Sequence, residues 1–114
     1  MNVELSELES KVLADLCGHC VGIMDGWIPY PARLIAKHLN ITLYATRKAL
    51  KRLKELGLVK SISMVLDSEE CSLPYHGFTV TKEAKKTLEY KNAAWKEAAI
   101  CVECFGGEIK DWLI

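Results

Sequence analysis

Cys17-Gly18-His19-Cys20 forms a C-x-x-C pair. That spacing suits a redox dithiol, half of a metal site, or two small apolar side chains one helical turn apart. A redox pair draws on a helix N-terminus, whose dipole lowers the pKa of the first thiol. Here the pair follows roughly four turns of expected helix, at the end where the dipole disfavours a thiolate. No βαβ pattern surrounds it, so redox catalysis is not expected. A second pair, Cys101-Val102-Glu103-Cys104, lies far downstream. Cys17, Cys20, Cys101 and Cys104 can make a zinc site only if the fold joins the two ends of the chain, with His19, Cys71 and His76 as spare ligands. The plainer reading is preferred: five reduced, mostly structural thiols, with no metal and no cofactor.

The other chemistry-bearing residues are cations. Net charge is zero, yet residues 31–60 hold Arg33, Lys37, Arg47, Lys48, Lys51, Arg52, Lys54 and Lys60 against the single acid Glu55. The segment carries +7 and the rest of the chain −7. A basic stretch of this kind is the footprint of a polyanion partner. A merely solvated helix face would alternate in sign to gain i,i+4 pairs. By contrast, the three histidines and scattered acids form no catalytic constellation by spacing, and no enzyme is expected.

The elements that must position these residues follow from periodicity and caps. Ser6-Glu7-Leu8-Glu9 is an S-x-x-E capping box. It opens a helix from about residue 7 into the low twenties, with Leu8, Val12, Leu16 and Cys20 on one face. Asp25-Gly26 turns the chain and Trp27-Ile28 forms a short extended piece. Pro31 stands at the first position of a second helix that buries Leu34, Ile35 and Leu39 and ends near Asn40. Thr42 caps a third helix, with Leu43, Thr46, Leu50 and Leu53 inward, and Gly57 stops it. Residues 58–65 read as a strand, 66–77 as a loop and 78–81 as a returning strand. Thr81 caps a long fourth helix that runs to about Cys104 and ends at Gly106-Gly107. The fold class is mainly α with a small β-hairpin (α+β).

Certain stretches resemble a known family. "LSELESKVLADL" resembles the opening helix of repressors of the MarR and PadR kinds. "PARLIAKHLNITLYATRKALKRLKELGLVKS" is similar to their helix-turn-helix: Leu34-Ile35-Ala36 and Leu39 stand in the first helix, then Thr46, Ala49-Leu50, Leu53 and Gly57-Leu58-Val59. "YHGFTVTKEAKKTL" resembles their returning wing strand and the helix after it. The resemblance covers about residues 5–90. It implies a winged helix-turn-helix, a DNA-binding domain over residues 1–81; the chain then adds a C-terminal helix and apolar tail over 82–114, expected to serve dimerisation.

Such a fold places its second helix, here about residues 42–56, in the DNA major groove. Thr42, Tyr44, Ala45, Arg47 and Lys48 then reach base edges, while Lys51 and Arg52 meet phosphates. One feature departs from the pattern. The wing tip carries Asp67, Glu69 and Glu70 and no Lys or Arg, so phosphates would repel it.

In the last helix Leu88, Trp95 and Val102 fall seven apart, a stripe that suits a partner helix. With Trp112 of the tail, they are the expected dimer seam, since two-fold operators need two-fold proteins. The alternative is that the stripe folds back on the first helix. No run is long and apolar enough to span a membrane. The opening "MNVELSELES" is acidic and polar, unlike a secretory signal, so a cytoplasmic location is expected. The expected function is sequence-specific double-stranded DNA binding by a homodimeric transcriptional regulator. It is read as a repressor, of a kind that includes phage and mobile-element regulators, with its effector unknown. The alternative is a winged helix used as a protein-interaction module.

Overall fold

The computed structural model describes residues 4–21, 29–67, 69 and 71–113. The expected turn at Asp25-Gly26 and extended piece at Trp27-Ile28 lie outside the described residues. Three helices come first: α1 (Glu7–Val21), α2 (Ala32–Leu39) and α3 (Leu43–Glu55). A hairpin follows, β1 (Val59–Asp67) and β2 (Ser72–Val80). A 3₁₀ turn (Glu83–Lys86) then leads into α4 (Leu88–Phe105) and the short α5 (Ile109–Trp112). No helix among the described residues is long and apolar enough to cross a membrane.

Local chemistry sets most of these boundaries. The capping box forms as expected: Glu9 N donates to Ser6 Oγ at 3.1 Å and Ser6 N to Glu9 Oε1 at 3.0 Å. Between α2 and α3 the turn is tight because Asn40 adopts the left-handed conformation, φ 54°, which asparagine tolerates better than most residues. Thr42 Oγ1 then accepts from Ala45 N at 3.1 Å and caps α3. Gly57, at φ +77°, ends that helix, as the sequence suggests. Gly106 and Gly107, both at positive φ, end α4.

The core lies where α1, α2 and α3 meet. Val12, Leu13, Leu16, Cys17, Ile35, Leu50 and Leu53 are almost fully excluded from water there. Thr46 is buried among them, and its hydroxyl donates to Thr42 O at 3.0 Å, which removes the cost of an unpaired polar group. α1 packs along α4 as well as across α3.

Four expectations are corrected. Pro31 is the N-cap of α2 rather than its first helical residue, with an extended ψ of 146°. Leu34 and Leu43 are 37% and 39% exposed, because each sits in the first turn of its helix, beyond the edge of the core. The strands are longer and the loop shorter than the sequence suggests. Pairing runs from Val59↔Val80 to Asp67↔Ser72, so most of the expected loop is ladder, Pro74 included. A two-stranded ribbon leaves outer edges free, where proline costs no hydrogen bond. Finally, α4 begins at Leu88, not after Thr81. Thr81 Oγ1 donates instead to Gly57 O at 2.5 Å, and Thr87 caps α4 by accepting from Tyr90 N at 3.3 Å.

At its base the hairpin is fastened to the chain before α2. Tyr30 and Phe78 exchange backbone hydrogen bonds of 2.9 Å as an antiparallel bridge. Tyr75 Oη donates to Pro29 O at 2.6 Å. Gly77 is pressed against Pro29, where a Cβ would come within 2.6 Å of the Pro29 carbonyl carbon. Only glycine fits that approach.

Candidate nucleic-acid interface

All eight cations of residues 31–60 are exposed. Among the described residues none of them has a carboxylate within ion-pair distance; the ion pairs that form involve Lys11, His38, Lys86 and Lys110 instead. A cluster of unpaired cations raises the local positive potential and seeks a counter-ion.

Four of these cations line one feature. Between α3, the start of α2 and the hairpin runs an open groove of about 740 Å³. Arg33, Arg47, Lys51 and Lys54 line it from the helices, and Ser61 and His76 from the wing strands. Lys54 Nζ donates to Ser61 Oγ at 3.1 Å and ties the helix to the wing. Ser63 Oγ and His76 Nδ1 lie 2.8 Å apart, across the register that pairs these two residues. Leu43, Leu50 and Phe78 supply an apolar floor. The groove is therefore a basic channel bounded by a helix on one side and a ribbon on the other.

The other residues expected to contact DNA take different places on α3. Tyr44, 76% exposed, stands out from the first turn. Lys48 and Arg52 are exposed and lie outside the groove. Ala45 is half-buried, and the Thr42 hydroxyl is engaged in the cap. Arg33 and Lys54 join Arg47 and Lys51 because α2 and α3 converge on the wing. Both were visible in the sequence as members of the basic stretch. His76 left no such signal, because its place depends on the long-range strand register.

The exposed tip residue Glu69 brings a negative charge to the end of the wing. From Ser61 to Thr81 the sequence has no Lys or Arg. The basic channel runs along the hairpin as far as Pro74, and the acidic tip lies beyond it.

The two C-x-x-C pairs lie on the packed helices α1 and α4. Cys17 and Cys101 are buried, Cys20 is half-buried and Cys104 is exposed. Cys20 and Cys101 border one cavity of about 450 Å³, together with Tyr90, Ala94, Glu97 and Trp112. Burial pushes the Cys17 thiol up to about 12, with the neighbouring Cys20 adding to the effect, so it stays protonated at neutral pH. Among the described residues no three His, Cys, Asp or Glu side chains come together to hold a metal ion.

On α4, Ala98 and Cys101 are buried, and Tyr90 and Ala93 pack on the core. That inward face is not the 88/95/102 stripe. Leu88 and Trp95 are 68% and 55% exposed, and Val102 is half-buried. Trp112 is half-buried against its own chain: its Nε1 donates to Gly106 O at 3.0 Å and its ring lies 5.8 Å from that of Phe105.

Compared by sequence, the chain matches no family model and no curated protein. Compared by structure, it is similar to a single-site mutant of Lactococcus lactis ZitR, with a TM-score of 0.54 and 26% identity, covering 91% of this chain and 57% of that one. It is similar to a zinc-responsive MarR family member, Lactococcus lactis ZitR, with a TM-score of 0.55 and 22% identity, covering 98% of this chain and 69% of that one. A candidate DNA-binding protein of Ralstonia eutropha JMP134 also matches, with a TM-score of 0.52 and 22% identity, covering 80% of this chain and 95% of that one. The chain spans 57% of the length of the ZitR mutant it matches. The fold is a winged helix-turn-helix with a C-terminal helix, structurally similar to MarR-family transcription regulators.

Proposed function

We propose that the protein binds double-stranded DNA in a sequence-specific way, as a homodimeric cytoplasmic transcriptional regulator of the repressor kind. The observation that carries this reading is the basic channel: four cations with no ion pair among the described residues, on two helices, facing a ribbon. A sugar-phosphate strand is a linear array of negative charge and fits such a channel. With the strand held there, the first turns of α3 enter the major groove. Tyr44, Arg47 and Lys48 reach base edges, while Arg33, Lys51 and Lys54 hold phosphates. The acidic tip stays off the backbone. Residues 1–81 do the binding and 82–114 the pairing of two copies. The zinc response belongs to the structural neighbour.

The test is an operator selected from a randomised duplex pool. Affinity for it should fall steeply with salt. Arg47→Ala with Lys51→Ala should weaken binding and flatten the slope of log K against log salt by about 0.9, for the one phosphate that Lys51 no longer neutralises. A double variant with the parent's affinity and slope would sink the reading. The acidic wing favours the second reading, a protein-interaction module, and complete indifference to DNA at low salt would establish that instead.

A further inference from the structure

The wing forms one wall of the basic channel, yet from Ser61 to Thr81 it holds no Lys or Arg. What it brings to the channel instead is decided by its pleat. Side chains two apart on a strand share a face, and residues paired in register share it too. Ser61 is paired with Phe78, and Ser63 with His76. Ser61, Phe78 and His76 line the channel, while Ser63 stands beside His76 without lining it.

His76 is held from two sides. Its Nδ1 lies 2.8 Å from Ser63 Oγ, and its ring meets that of Phe78 edge-on, 5.3 Å between centroids and inclined by 83°. The residue is exposed, and Nε2 has no hydrogen-bond partner among the described residues. No carboxylate among them lies within ion-pair distance of the ring. The groups that share the channel with it are Arg33 from the start of α2, Arg47, Lys51 and Lys54 from α3, and Tyr75 on its own strand.

A neutral imidazole carries one ring proton, so its contact with a hydroxyl has two forms. If Nδ1–H donates to Ser63, Nε2 presents a lone pair to the channel. If Ser63 donates to Nδ1, Nε2 presents an N–H. A phosphate oxygen only accepts, so it fits the second form alone. The serine hydroxyl is free to rotate into that role.

We propose that His76 Nε2–H donates to a backbone phosphate of DNA held in the channel, and that Ser63 is its positioning residue, setting the tautomer by donating to Nδ1. The inference rests on the proposed DNA binding and adds how the wing takes part: through a neutral donor in mid-strand, with the acidic tip farther out. The cations of α2 and α3 grip the strand from one wall. A donor on the ribbon fixes where the strand lies between the walls. Because it is neutral, it adds a hydrogen bond to a charged acceptor without displacing a counter-ion, and so strengthens binding without steepening its salt dependence.

The experiment is fluorescence anisotropy on the selected duplex at about pH 8, where an imidazole is ordinarily neutral. His76→Ala should weaken binding about tenfold, the scale of one hydrogen bond to a charged group, with the slope of log K against log salt unchanged. His76→Gln, whose amide N–H reaches nearly as far as Nε2–H, should recover most of the loss. Ser63→Ala should cost about threefold alone and nothing further once His76 is alanine. Duplexes with single methylphosphonates should include one position at which His76→Ala costs nothing more, a result that a merely structural role would not give. Parental affinity in His76→Ala, a slope flattened by about 0.9 as for a charged contact, no recovery in His76→Gln, additive losses in the double variant, or no such methylphosphonate position overturns the inference. Any of these in a parent that binds leaves the DNA reading standing; a parent indifferent to every duplex at low salt sinks both.

Discussion

Asp15 carries a cost that its neighbours only partly offset. Desolvation raises its pKa in the fold, while His38 and then His19 pull it down. An acid whose folded pKa exceeds its unfolded value binds its proton more tightly in the native state. Folding stability therefore falls as pH rises through the window that begins near 3.8, the ordinary value, and ends at the raised one. Asp15→Asn removes the charge and keeps the shape. It should unfold at higher urea than the parent at neutral pH, and the gain should vanish below the ordinary aspartate range. A constant gain, or a loss, across that range would refute the assignment. None of this was legible in the sequence, because Tyr30 and His38 are brought to Asp15 only by tertiary packing. The thiols were more legible. The spacing of Cys17 and Cys20 along a helix already pointed to an inward face, and in the fold Cys17 is buried and Cys20 half-buried.

Elements came through where their signals are local. The capping box at Ser6, the Thr42 cap and the stops at Gly57 and Gly106 each depend on three or four adjacent residues, and each stands where the sequence suggested. The start of α4 did not, because Thr81 and Thr87 are both able to cap. Only the hydrogen bond from Thr81 to Gly57, made across the sequence, decides between them. The hairpin was underestimated for a similar reason: its outer half is mixed polar and apolar, without clean alternation, and its pairing is set at the base. That base gives a sharp test. Gly77→Ala puts a methyl group into the backbone of Pro29 and must push the wing away from the α2 segment. The loss should be about 1–3 kcal/mol, the range of overpacking in a tight site. Hydrogen exchange should show the Tyr30–Phe78 bridge amides losing protection before those of α1 do. Equal protection in variant and parent would mean that the contact is slack. The basic channel should suffer too, since Ser61 and His76 move with the wing.

At the scale of the whole molecule, the outer stripe of α4 needs cover. Trp95, left as exposed as it is, forgoes roughly 1.5–3 kcal/mol of burial, and Leu88 adds to the deficit. Pairing two copies along this helix would recover it and would set two recognition helices about one DNA turn apart, roughly 34–36 Å. Trp95→Glu should then give a folded monomer by sedimentation, with operator affinity much reduced. If the unaltered protein sediments as a monomer at tens of micromolar, on the order of a weak dimer's range, the stripe has another use. The separation of charge has a consequence for kinetics. A neutral body is not drawn to a polyanion from afar, as a uniformly basic protein would be. Yet with +7 gathered in residues 31–60 and −7 elsewhere, the protein has a dipole, and the field near DNA exerts a torque on it. On the proposed function, the protein is turned before it is pulled, so that more collisions begin with the channel facing the strand. That turning acts only within about a Debye length, near 10 Å at 0.1 M salt, so added salt should randomise the angle of approach well before it breaks the hydrogen bonds and ion pairs of a bound complex.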